Sequence, residues 1–216
     1  MNLQIYQAYY KQEQVPHLDP AFITYDNTIN AQPHLREYPM WQKLHDKHKD
    51  SDVYWGLMSW LWFEKTKISS EIFKNWILEN PGYDVYHIDP FPDLPHQYKN
   101  IWIQGNVWCP GMLDFCNSLF PKLGIETRVE DFDNSPIDFA TCNYFVGNSK
   151  FWTNYLDFLD KCLKICADDP ALNEYIYVKG GMYNGHFVPN FPFVVERFFS
   201  LHNILNRQIK VKKYPL

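Results

Sequence analysis

The sequence predicts an α/β protein: a single domain whose mostly parallel or mixed central sheet is flanked by helices. Three observations predict it. Short runs rich in β-branched and aromatic residues, ending at Gly, Pro or Asp-Asn, alternate with segments of helical apolar spacing. The length of 216 residues suits one large domain, able to bury roughly 70% of the surface its unfolded chain exposes. No internal repeat or low-complexity tract breaks the alternation, so residues 1–205 read as one domain and 206–216 as a basic tail.

Leu3 to Tyr10 reads as a first, buried strand, and Pro16, Asp19 and Pro20 force an extended loop after it. Phe22 to Tyr25 is a second, short strand that stops at Asp26-Asn27. Glu37 to Lys49 has helical spacing through Met40, Trp41 and Leu44, with Lys43, Asp46, Lys47 and Lys49 on a wet face. Val53 to Met58 is the next strand, where Gly56 marks a close approach or a bend. Ser69-Ser70-Glu71 opens a helix with a hydroxyl cap and an early acid, and Asn80-Pro81-Gly82 ends it. Asp84 to Pro90 alternates like a strand, and residues 90–100 form a proline-rich loop.

Asn106 to Leu119 reads as helical, and the acidic run Glu126 to Asp138 as a loop on the rim. Cys142 to Val146 is a strand, and Asn148-Ser149 caps the clearest helix, with Trp152, Tyr155, Leu156, Leu159, Leu163 and Cys166 on one stripe. Glycines 180, 181 and 185 break the next segment, and a buried helix runs from about Phe193 to Leu205.

Composition narrows the function. Aromatics make up 18% of the chain, which predicts a ring-rich core with a few rings left to stack on sugars or bases. A net charge of −5 lacks the basic footprint of a nucleic-acid binder. Arg207, Lys210, Lys212 and Lys213 form a local cationic run that reads as a solvated tail or as a weak contact with an anionic membrane face. The start lacks a signal-peptide pattern and no apolar run reaches membrane-spanning length, so a cytoplasmic protein is expected. Five cysteines match no zinc spacing and read as reduced and buried.

The candidate site residues are polar groups at strand ends, where ligands of open α/β sheets sit. Asp26, Asn27 and Asn30 suit a ribose or a base edge; equally, Asp and Asn build ordinary Asx turns. Glu37 would orient a substrate hydroxyl or favour a helix N-terminus. Asp84 and Asp89 bracket a strand, and Asp89 suits a divalent metal that bridges a diphosphate, or a cap on the following loop. Gln104-Gly105-Asn106-Val107-Trp108 reads as a substrate-binding loop, and Asn143 as an acceptor contact or an interior polar residue. Glu196-Arg197, inside an apolar helix, is either a structural ion pair or a carboxylate at a pocket floor. No serine-hydrolase or zinc-peptidase motif is present, and Walker and dinucleotide glycine patterns are absent.

The order of these motifs resembles small bacterial glycosyltransferases of the GT-A type from capsule and lipopolysaccharide loci. The resemblance rests on Ile5-Tyr6-Gln7, Tyr25-Asp26-Asn27-Thr28 with Asn30, Arg36-Glu37-Tyr38, Tyr54-Trp55-Gly56-Leu57, Cys142 to Val146 leading into Phe151-Trp152, and Phe193 to Phe199. It implies a GT-A-like, Rossmann-related fold that moves a sugar from a nucleotide-sugar donor to a surface glycan. Tyr6, Asp26, Asn27, Asn30 and Glu37 would hold the donor. Gln104, Asn106, Trp108 and Asn143 would face the acceptor, and Glu196 or Asp84 would be the catalytic carboxylate. Asp89 would hold Mn or Mg, although the Asp-x-Asp pair and the His-Tyr-Arg-Arg run of that family are absent. The alternatives are a non-catalytic glycan-binding or scaffold protein of the same pathway, and an enzyme acting on another phosphorylated metabolite through Lys65, Lys67 and Arg36.

Overall fold

The computed structural model describes residues 1–133, 135–183 and 185–216. Its strands in chain order are β1 (Asn2–Tyr9), β2 (Ile23–Asp26), β3 (Val53–Ser59), β4 (Val85–His87), β5 (Phe145–Gly147), β6 (Gly180–Tyr183), β7 (His186–Pro189) and β8 (Val211–Lys213). The helices are α1 (Tyr38–His48), α2 (Trp62–Thr66), α3 (Ser70–Glu79), α4 (Leu94–Gln97), α5 (Ile101–Trp108), α6 (Met112–Leu119), α7 (Ser149–Asp168), α8 (Pro170–Asn173) and α9 (Phe191–Leu205). The chain divides into two compact units. The first comprises Met1–Pro90, Cys142–Asn154 and Asn206–Leu216, and the second Phe91–Thr141 and Tyr155–Leu205.

The first unit holds a six-stranded sheet of order β2-β1-β3-β5-β4-β8. β1 lies parallel to β2 and β3, β5 runs antiparallel to both β3 and β4, and β8 is parallel to β4. The mixed α/β class expected from the alternation is therefore the class observed.

Alternating side chains feed two apolar layers, as the period of a strand requires. On one face Ile5, Met58, Tyr86 and Val146 pack with Trp62 of α2 and with Phe73 and Ile77 of α3. On the other, Trp55 stacks on Trp152 with centroids 3.8 Å apart, beside Trp41 of α1 and Phe145. The Trp152 indole nitrogen donates to the Trp55 carbonyl at 2.8 Å, so this buried ring keeps its hydrogen bond. The sheet is thus covered on both sides, and most rings that composition made conspicuous are core. Gly56 is a close approach: a methyl there would overlap the Phe145 carbonyl and Val146 of the neighbouring strand.

The basic tail is corrected by the pairing of β8. Val211 pairs with Val85 and Lys213 with His87, which makes these residues the edge strand of the sheet. The Tyr214 ring then packs against Trp76 at 5.0 Å. Lysines conceal the strand in the sequence, because the apolar partner surface comes from residues far away along the chain.

The second unit departs from the sequence reading between residues 101 and 119. Instead of one helix from Asn106, buried Asn100 caps α5 by accepting from the amides of Trp102 and Ile103. α5 then stops at Cys109, and α6 restarts after Gly111 at φ 87°. The glycines at 180 and 181 do more than break the segment: they lie in β6, which pairs antiparallel with β7. The acidic stretch is anchored, with Val129 fully buried and the Asn100 amide donating to the carbonyls of Val129 and Phe132; Asn134 lies outside the described residues. α9 begins at Phe191, two residues earlier than its spacing indicates. All five cysteines are free and buried, and burial pushes the Cys109 thiol up to about 11 and that of Cys166 to about 12, so neither is a ready nucleophile.

Candidate ligand-binding cleft

The first unit carries two adjoining recesses at its β2 edge. The larger, about 400 Å³, is lined by Tyr6 of β1, Ile23, Thr24, Tyr25 and Asp26 of β2, and Lys43, Leu44 and Lys47 of α1. The smaller, about 220 Å³, is lined by Asn27, Ile29, Asn30, Ala31, Gln32, Arg36, Pro39, Met40 and Lys43. Lys43 belongs to both. The structure therefore brings together four of the predicted donor residues, Tyr6, Asp26, Asn27 and Asn30. It adds Arg36 and two lysines whose i,i+4 spacing on a wet helix face had pointed only to solvent.

Each wall residue is positioned locally. Asp26 ends β2 and its Oδ1 accepts from the Thr28 amide at 2.9 Å and hydroxyl at 2.7 Å, an Asx turn of the kind its residue type favours. The Tyr9 hydroxyl, and then Thr28, hold the Asp26 carboxyl below the usual carboxylate range. Asn30 makes the same kind of turn, accepting from the Gln32 amide at 2.8 Å. The Asn27 amide donates to the Tyr9 carbonyl, which pins the loop to β1. Its side chain is only 7% exposed, and Nδ2 has no acceptor among the described residues. Arg36 sits at φ 49°, a left-handed conformation that costs a non-glycine residue about 1–3 kcal/mol.

Tyr6 is tied down by three partners. Its hydroxyl lies 2.8 Å from Gln4 Oε1 and 2.8 Å from His48 Nε2, and it accepts from Lys47 Nζ at 2.9 Å. Burial, and next the charge of Lys47, lower the His48 pKa, so this imidazole stays neutral near pH 7. The Tyr25 ring meets Tyr6 edge-on at 6.4 Å and completes an aromatic corner.

Other predicted residues lie elsewhere. Glu37 does not line the recesses; it accepts from the Tyr10 hydroxyl at 3.1 Å, and burial followed by the Glu37 charge raises the Tyr10 pKa well above its usual value. Ser59, at the end of β3, and Tyr144 share a 2.6 Å hydroxyl contact, beside Lys65. Asn143 is buried one residue away, with Oδ1 unpartnered among the described residues. These groups sit at the carboxyl ends of β1 and β3, where α/β sheets place ligands.

Asp89 lies past β4, fully buried, with Lys213 Nζ at 3.7 Å. Burial lowers the Lys213 pKa, and Asp89 opposes that shift. Asp84 is at the opposite end of the same strand, and both of its oxygens are taken, one by Asn148 Nδ2 at 3.0 Å and one by the Lys210 amide at 2.9 Å. Its role is to hold α7 and β8 to the strand. Among the described residues no three metal-binding side chains converge.

Four further predicted residues belong to the second unit, and three of them are structural there. Arg197 is buried, donating from NH1 to the Phe193 carbonyl at 2.7 Å and to Glu196 at 3.2 Å, and from NH2 to Gln104 at 2.8 Å. Gln104 is thus a buried partner on α5 rather than part of a loop, and Glu196 closes an ion pair. Asn106 Oδ1 accepts from the Gly111 amide at 3.1 Å and fixes the corner between α5 and α6. Trp108 alone is open, 74% exposed.

No protein-family model matches the sequence, and no curated protein is significantly similar to it. Among solved structures, the apo form of the WbbM bifunctional glycosyltransferase is similar over 99% of this chain, with a TM-score of 0.57 at 17% identity. The chain spans 44% of the length of that protein. The fold of this chain is therefore that of part of a glycosyltransferase structure. No helix among the described residues is long and apolar enough to cross a membrane.

Proposed function

We propose that the chain is a glycosyltransferase that takes a sugar from a nucleotide-sugar and passes it to a glycan acceptor, in the GT-A manner and on the cytosolic side of a capsule or lipopolysaccharide assembly. The observation that carries this reading is the composition of the cleft. An aromatic corner, Tyr6 and Tyr25, adjoins amides and three cations, the set of groups that a base, a ribose and a diphosphate require. The fold it shares with a glycosyltransferase supports the same reading.

In this scheme the acceptor lies toward the carboxyl ends of β1 and β3, near Asn143. Glu37 takes the role of general base, because it is half-buried and its carboxylate accepts, among the described residues, from Tyr10, a neutral donor. Contact of the C-terminal segment with a membrane does not draw on Lys213, which is paired with Asp89, or on Lys212, which lies over the Tyr83 ring.

A second reading, a glycan-binding protein without catalysis, is favoured by one observation: Asp84 and Glu196, the first candidates for a catalytic carboxylate, both serve the fold. A thermal-shift series with nucleotide-sugars, each with and without Mn²⁺, separates the two. A donor at 100 times its dissociation constant adds about 2.7 kcal/mol of stability, and Asp26→Ala is expected to remove the shift. A glycan that stabilises the protein while every nucleotide-sugar leaves it unmoved would establish the binding protein instead.

A further inference from the structure

We infer that the anionic part of the ligand is held by Arg36, Lys43 and Lys47 in place of a divalent cation, with Lys43 at the junction of the two recesses. The inference rests on the nucleotide-sugar reading of this cleft and goes beyond it by naming what neutralises the diphosphate.

The resemblance to GT-A enzymes implies a metal, and the residues do not fit one. Asp89 is the carboxylate available for it, but the ammonium of Lys213 already stands 3.7 Å away inside the sheet edge. A divalent ion brought to Asp89 would meet that charge at close range, in a place where screening by water is weak. Hard cations need several oxygen ligands, and no cluster of three His, Cys, Asp or Glu side chains occurs among the described residues.

The cleft supplies positive charge by other means. Its walls carry Arg36, Lys43 and Lys47 against one carboxylate, Asp26, whose Oδ1 is already engaged by Thr28. Neither Lys43 nor the Arg36 side chain has an ion-pair or hydrogen-bond partner among the described residues. Arg36 holds its place on a strained backbone, and a guanidinium offers paired donors that match a phosphate edge. The second observation is Asn27. It lines the smaller recess, is 7% exposed and keeps a donor without an acceptor, which is an expensive arrangement unless a ligand oxygen completes it. The larger recess, walled by Tyr6, Tyr25 and Leu44, suits the base, so the phosphates would fall at Lys43 and the sugar beside Asn27 and Asn30.

The test is calorimetric titration of the full chain with inorganic pyrophosphate and with UDP, GDP and dTDP, in EDTA and in MnCl₂. The variants are Lys43→Met and Arg36→Met. Pyrophosphate and one nucleoside diphosphate are expected to bind equally in EDTA and MnCl₂, and each variant is expected to weaken both by about tenfold or more. A nucleoside diphosphate bound only in MnCl₂, or with unchanged affinity in both variants, overturns the inference and leaves the donor reading intact. Pyrophosphate bound in EDTA while no nucleoside diphosphate binds keeps the cationic cradle and overturns the donor reading. Binding of neither overturns both.

Discussion

Arg197 and Arg36 are handled in opposite ways. Arg197 is buried in the second unit, and the chain itself supplies the Phe193 carbonyl, Glu196 and Gln104 to its terminal nitrogens. Gly105 is the condition for this, because a methyl there would overlap Arg197 Nε and the Met112 sulfur. Arg36, in the first unit, sits half-buried on a left-handed backbone beside Lys43 and has no such escort. Where a charge serves the fold, the sequence surrounds it with partners. Where charges and a buried amide are left open around a recess, we infer that the missing partner comes from outside.

The contrast is sharpest in stability. Arg197→Met takes the guanidinium away from buried Gln104, from the Phe193 carbonyl and from Glu196, and is expected to cost about 3–5 kcal/mol, with Gly105→Ala costing about 1–3 kcal/mol through overlap. Urea denaturation measures both, and native-like stability in either variant would break the structural half of the comparison. Next in size is an effect of pH on the second unit. His202 packs between Tyr155 and Phe158, and its burial lowers the pKa from 6.5 to about 4. The unfolded chain therefore binds the extra proton first. Stability is complete above pH 6.5 and falls as the pH drops through about 4, by about 3 kcal/mol. A denaturation series across that window should show the slope, and His202→Phe should make it shallower, leaving the smaller share of His48. The smallest effect belongs to the cleft: Lys43→Met should leave the unfolding free energy within about 0.5 kcal/mol, because an exposed, unpartnered side chain holds nothing together. A larger loss would mean that Lys43 serves the fold after all.

Much of this architecture is legible in the sequence wherever information is local. β1, β2, β3, α1, α3 and α7 follow from alternation, helical spacing and caps, since a strand or helix that buries one face writes its period into the chain. Asp26, Asn27 and Asn30 were legible as residues that end a strand in a turn. α5 was not, because Gly105 and the following Cys109-Pro110-Gly111 imitate a loop; the glycine answers to Arg197, far along the chain. β8 and the lysines of the cleft were hidden for the same reason. A lysine-bearing edge strand and a lysine-bearing helix face look solvated until a distant strand, β4 in one case and β2 in the other, is laid beside them.

That edge strand has a kinetic side. Lys210 and Asp84 are 126 residues apart and yet exchange backbone and side-chain bonds, so this border of the sheet depends on closing a very long loop. Loop entropy grows only slowly with length, and the finished pairing is therefore not much weakened by it. The rate is another matter: contacts of such separation make folding slow, and the β4 edge stays an open template, able to recruit a stray strand, until Val211–Lys213 arrive to occupy it.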